Sequence, residues 1–188
     1  MSNIEKNLDL VKAKIQDSSF LNGEGLSNEE NIRFFCYDPE DEMAVRNFIE
    51  KLKVDQTLKC NLKICNLYEM FLSICEEMEI LDAIPDMEEE DGSDFLLSQL
   101  HSAIDNEQFI DKMQYEPHQV GDVIMLTQVG MVFPFARVHS LLEAMQPHFS
   151  NVPIVVMYPG KFDKYSSSLF GKLKPNNYYR AFYLIEED

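Results

Sequence analysis

Apolar residues recur with two different periods along this chain. Ile4, Leu8, Val11 and Ile15 stand at helical spacing and predict an amphipathic helix over residues 4–16. Ser, Asn and Gly crowd residues 17–30, which read as a linker. Ile32–Tyr37 is a short apolar run stopped by Asp38-Pro39, the pattern of a buried strand ending in a turn. Met43, Val45, Phe48, Ile49 and Leu52 return to helical spacing over residues 42–53. Leu58, Cys60, Leu62 and Ile64 alternate with polar residues and predict a strand over 58–65. Asn66, with Glu69 three places on, resembles a capping box for a helix reaching to about Glu79.

The second half repeats the alternation of strand and helix. Residues 84–94 are acidic and read as a solvated loop. Residues 94–104 and 107–113 read as one interrupted or two short helices. Asp122–Thr127 is almost continuously apolar, the mark of a strand covered on both faces. A helix is predicted over 133–149, with Phe135, Val138, Leu141, Leu142 and Met145 on one face. Residues 153–158 form a second buried strand, which Pro159-Gly160 is expected to end sharply. Residues 178–185, rich in aromatic residues, make a last strand. Such an order predicts a single α/β domain: a mostly parallel central sheet of about five strands with helices on both faces. The short 162–175 connection leaves room for the last strand to be an antiparallel edge.

Charge adds a second level of organisation. The 188 residues carry 33 acids and 16 bases, a net charge of −17. Residues 117–188 hold six of each, so residues 1–116 carry the whole imbalance with 27 acids and 10 bases. This excludes simple non-specific nucleic-acid binding, which needs a basic surface to displace counterions. It also argues against docking on an anionic membrane. No run approaches a membrane span or a signal core, so a cytoplasmic protein is expected. The run Asp86–Asp94 has two readings, a loop held open by self-repulsion or a docking segment for a basic partner.

Candidate chemistry is sparse. Cys36, Cys60, Cys65 and Cys75 form no Cys-x-x-Cys pair and read as buried free thiols. No calcium loop, G-x-S-x-G or G-x-G-x-x-G occurs. Gly160-Lys161 and Gly171-Lys172 lack the earlier Gly and following hydroxyl of a phosphate loop, although Gly130 and Gly160 could admit a ligand to the backbone. His101, His118, His139 and His148 are scattered and read as surface or structural residues. No metal and no cofactor is expected. In an open α/β sheet, ligands bind beyond the carboxyl ends of the strands. Asp38, Asn66, Thr127, Arg137, Lys161 and Asp163 are expected to converge there as a ligand or partner edge. Arg137 has two readings, a helix-surface residue paired with an acid or an anion clamp beside Lys161. Tyr178-Tyr179-Arg180 could be an exposed aromatic patch or strand core.

Four stretches together carry a family resemblance. They are Phe35–Glu42; Asn66–Phe71; Leu126–Leu142; and Tyr158–Asp163 with Leu169–Leu173 and Asn177–Phe182. In order and content they resemble the BrxB family of BREX (bacteriophage exclusion) defence systems, over about residues 30–184. The resemblance implies a protein encoded beside a methyltransferase, an alkaline-phosphatase-like protein (PglZ) and a large ATPase. It brings no catalytic residues. The expectation is a non-enzymatic adaptor in a defence assembly, with PglZ the first partner and the BREX ATPase the second. The alternative is a nucleotide-like ligand sensor or cryptic enzyme using the carboxyl edge of the sheet.

Overall fold

The computed structural model describes residues 3–22, 32–162, 166–172, 176–177 and 182–185. Helix α1 (Asn3–Lys14) buries the predicted stripe of Ile4, Leu8 and Val11. A helical turn, α2 (Ser18–Leu21), follows where a linker was expected. The Asp17 carboxylate caps it by accepting from the Ser19 N–H, and Phe20 is its buried anchor. Strand β1 (Ile32–Tyr37) leads through a 3₁₀ turn at Pro39–Asp41 into α3 (Glu42–Val54). Strand β2 begins at Asn61 and ends at Asn66; Leu58 and Cys60 pack against the core as loop residues before it.

Every regular element in the connection from β2 to the next strand is helical. It comprises α4 (Leu67–Glu77), a 3₁₀ turn, α5 (Ile84–Asp91), α6 (Ser93–Ala103) and α7 (Asn106–Met113). The acidic run is therefore two helices rather than a loop, broken only at Gly92, whose φ of 86° suits glycine. Charge repulsion does not melt α5, because Ile84 and Met87 pack half-buried against the core.

Strand β3 (Asp122–Thr127) is buried at every position, as its apolar run predicts. Helix α8 (Val129–Val132) starts directly after it, turned by Gln128 in the left-handed region at φ 59°. The single helix expected over 133–149 is shorter: α9 spans Val138–Met145. Pro134 is the reason, since the residue before a proline is driven out of helical geometry, and Phe133 sits at φ −70°, ψ 135°. Strand β4 (Ile154–Phe162) runs past Pro159-Gly160 instead of ending there. It turns into an antiparallel arm, β5 (Ser166–Leu169) and β6 (Asn176–Asn177). The final segment, β7 (Phe182–Tyr183), pairs parallel with β1, which corrects the expected antiparallel edge. Residues 178–181 lie outside the described residues.

The core sheet has the order β2-β3-β4-β1-β7, all parallel. Strand alternation sends Phe35, Tyr37, Val123, Met125, Val155 and Met157 to one face, against α1, α2 and α3. Ile32, Phe34, Ile124, Leu126, Ile154 and Val156 point to the other, against α4 and α6–α9. The mostly parallel α/β fold with helices on both faces is thus present.

Candidate functional site

Two surfaces follow from this topology. The first is the carboxyl edge. The chain leaves β1 toward β2 and leaves β4 toward β7, in opposite directions, so β1 and β4 flank a topological switch point. A cavity of about 780 Å³ opens there, lined by residues of β1, β4, β7 and the arm, including Tyr37, Asp38, Lys161, Phe170 and Lys172.

Of the six residues expected at this edge, the cavity brings together Asp38 and Lys161. The Asp38 carboxylate is engaged in capping, accepting from the Glu40 N–H at 3.0 Å. Asn66 and Thr127 are register partners on β2 and β3 and do not line the cavity. Asn66 caps α4 by accepting from the Tyr68 and Glu69 N–H groups, both at 3.2 Å. Thr127 is buried and donates to the Cys65 carbonyl at 3.4 Å. Arg137 is exposed at the start of α9, outside the cavity lining, and its carbonyl accepts from Leu141 N–H and the Ser140 hydroxyl. Asp163 lies outside the described residues.

The two glycines expected to admit a ligand are filled by the protein itself. A Cβ on Gly160 would meet the Ser168 carbonyl oxygen at 2.3 Å, and one on Gly130 the Phe170 ring at 2.8 Å. Their missing side chains let the arm seat on the end of β4. Phe170 is the residue that sequence reasoning missed at this edge. Only the pair of Gly-Lys motifs around it hints at a turn there.

The histidines serve separate local contacts. The His101 Nε2 lies 2.7 Å from the Pro134 carbonyl oxygen, His118 packs between Tyr115 and Phe149, and His148 Nδ1 meets the Gln114 amide at 3.0 Å. His139 is half-buried on α9, and burial pushes its imidazole below the ordinary value. Burial raises the Cys65 thiol to about 11, which keeps it in the unreactive protonated form. Among the described residues no group of three or more His, Cys, Asp or Glu is placed to hold a metal ion.

The second surface is the β2–β3 crossover. Residues 67–116 contain 15 acids and a single base, Lys112. Lys112 is already engaged, donating to Glu77 at 2.7 Å and to Ser73 at 2.9 Å. The acidity assigned by sequence to residues 1–116 is therefore concentrated in one crossover on one face of the sheet. Within it lies an apolar trough of about 430 Å³ between α4, α5, α6 and the Pro134-Phe135 turn. One wall is a run of stacked rings: Tyr68 on Phe71 with centroids 6.4 Å apart, and Phe71 on Phe135 at 4.5 Å. Glu88 and Asp94 are its charged lining residues.

The ends of this crossover are fixed by polar contacts. Asn66 opens it through the α4 cap. Asp122, buried at the start of β3, closes it by accepting from Gln119 N–H, Asn61 Nδ2 and the Tyr115 hydroxyl at 2.8, 2.9 and 3.0 Å. Burial opposes the charge on Asp122, but these donors outweigh it and hold the carboxyl below its ordinary range.

Comparison with known proteins decides the family. The family model described as BREX protein BrxB matches residues 63–184. The chain is 39% identical to the BREX protein BrxB of Bacillus cereus (strain H3081.97), across the whole of both chains. The chain belongs to the BrxB family. A second BrxB relative, from Escherichia coli O9:H4 (strain HS), is 25% identical over 98% of this chain and 92% of its own length. No solved structure matches the chain. The family-model match covers the β2–β3 crossover, the arm and the β4 and β7 side of the carboxyl edge, while β1 and Asp38 precede it. Membership places the chain in a BREX phage-defence system. No helix among the described residues is long and apolar enough to cross a membrane.

Proposed function

We propose that this BrxB chain is a non-enzymatic adaptor, acting in the cytoplasm, that holds PglZ or the BREX ATPase within the defence assembly. The observation that carries the reading is the one-sided charge: 15 acids against one engaged base, gathered on the crossover face. Such a field steers a basic partner surface into place and selects against acidic ones. It contributes nothing to an ordinary hydrophobic fold, which the two buried layers already supply. The test is co-expression of tagged protein with each BREX component, singly and in pairs. Retention of PglZ or the ATPase that weakens as salt is raised supports the reading. Purified protein that retains neither at low salt, or that turns over a substrate unaided, ends it.

A second reading rests on the cavity at the switch point, where Lys161 and Lys172 stand with Asp38 and Glu40. It is a sensor for a nucleotide-like ligand, or a cryptic enzyme. A thermal-shift screen of nucleotides separates the two. A ligand at 100 times its Kd adds about 2.7 kcal/mol of stability. Absence of any shift counts against this reading and leaves the adaptor untouched.

A further inference from the structure

The crossover trough combines features that belong to protein recognition rather than to fold stability. It is lined mostly by apolar side chains, with the stacked rings of Tyr68, Phe71 and Phe135 on one wall and leucines of α6 on another. Helix α5, which borders it, has no buried residue. Its charged lining residues are both acids, Glu88 and Asp94, and the rest of α5 adds Asp86, Glu89, Glu90 and Asp91. Among the described residues no Lys or Arg lines the trough. Apolar troughs between helices accept a helix that inserts side chains at i, i+3 or i+4 and i+7. The acidic surround then sets the charge of the occupant.

We infer that the trough between α4, α5 and α6 seats an amphipathic helix of a partner protein, with apolar anchors toward Phe71 and Leu97 and Lys or Arg on its flanks. The inference rests on the adaptor reading and names where and by what chemistry the partner docks. A second copy of this chain is a poor occupant, because apposed crossovers would set like charge against like charge. An acidic helix fails for the same reason.

Two arms test it, both on the full chain. In the first, a labelled lysine–leucine amphipathic peptide is titrated, with its glutamate–leucine counterpart as comparison. Two variants block the trough: Leu97→Glu from the wall, and Ser93→Trp from the exposed rim, which leaves the core untouched. The double variant Glu107→Gln/Asp111→Asn removes charge from α7, away from the trough. The expected result is that the lysine peptide binds, that each blocking variant weakens it about tenfold or more, equal to at least 1.4 kcal/mol, and that the α7 variant does not. Weakening by the α7 variant equal to that by the blocking variants would mean diffuse attraction and overturn the inference. So would equal binding of the glutamate peptide, or self-association that Ser93→Trp abolishes.

In the second arm, wild type and Ser93→Trp are co-expressed with the BREX proteins. Loss of a wild-type partner in Ser93→Trp supports the trough as the seat. Retention by both leaves the adaptor standing and overturns the trough. Retention by neither sinks the adaptor reading, and the peptide arm alone then decides the trough.

Discussion

The β2–β3 crossover and the carboxyl edge are built on opposite principles. The charges that line the edge cavity balance, Asp38 and Glu40 against Lys161 and Lys172, and its fit is steric. There the arm lies so close to β4 that only glycine fits at position 160. The crossover is strongly acidic, and its trough is an open apolar channel bordered by a helix that buries nothing completely. One region uses its small residues to seat the arm against β4, beside a cavity of about 780 Å³. The other has kept apolar surface open and surrounded it with uncompensated charge. The aromatic and leucine side chains that line the trough are buried or half-buried in its walls, a concave surface of the kind that accepts a partner's side chains. The contrast teaches that position at a strand's carboxyl end is not sufficient for function. The edge that the α/β topology marks out is narrowed by the chain's own arm but keeps a cavity, and the less expected helical face carries a second, acid-lined apolar one.

Breaking the edge should produce the largest effect. Gly160→Ala places a Cβ 2.3 Å from the Ser168 backbone oxygen, which only a backbone shift relieves. We expect a loss of about 3 kcal/mol, within the range for overpacking. In a chain of this size that lowers Tm by roughly 6–12 °C. Gly130→Ala should cost much less, because its nearest atoms are the far end of the Phe170 side chain and the Pro159 ring rather than backbone, and alanine favours the α8 helix. Equal melting temperatures for the two variants would show that the arm is not seated on β4 as described.

The two ends of the crossover come next. Asp122→Ala leaves the Gln119, Asn61 and Tyr115 donors without their acceptor, at a cost of about 1–3 kcal/mol in urea unfolding at neutral pH. The cost is pH-dependent with a definite sign. The folded carboxyl lies below its ordinary value of 3.8, so its stabilisation is present above that value and fades as pH falls through the folded value. The gap between wild type and variant should therefore narrow as pH is lowered from about 5 into the acid range. A gap that widens on acidification would contradict the assignment. Asn66→Ala removes the α4 cap and should cost about 1 kcal/mol. A loss of partner or ligand binding without that loss of stability would instead make Asn66 a recognition residue.

Much of this contrast was legible in the chain, and the illegible part has identifiable causes. Parallel strands buried on both faces announce themselves, and Asp122–Thr127 and Ile154–Tyr158 do so without ambiguity. The helical faces of α1, α3 and α4 follow from spacing alone. The acidic run misled because charge density mimics disorder, while two half-buried apolar residues, Ile84 and Met87, suffice to hold α5 helical. Pro159-Gly160 misled because both residues are turn formers in isolation, yet here glycine is needed by a neighbour, the Ser168 backbone, that no local window contains. Asp38 and Lys161 were placed together by topology, since β1 and β4 pair in parallel. Arg137 was not, because Pro134 postpones α9 and leaves the side chain on the surface. The trough escaped notice entirely: its rings come from positions 68, 71 and 135, which only the three-dimensional fold assembles.

The smallest effect bears most directly on why the crossover is acidic. In α5, Asp86 and Glu90 stand four residues apart and Glu88 and Asp91 three apart, so like charges share a helix face. Each such pair destabilises a helix by about 0.2–0.5 kcal/mol. Asp91 also sits in the last turn, where the helix dipole disfavours an anion. Glu90→Gln/Asp91→Asn should therefore raise stability by several tenths of a kcal/mol, read as a small increase in Tm at low salt that shrinks as salt screens the charges. If the double variant is instead less stable, the acids support the fold and the crossover's charge needs no partner to explain it. If it is more stable, and also binds its BREX partner or the lysine peptide more weakly, the same residues strain the free protein and serve the bound one.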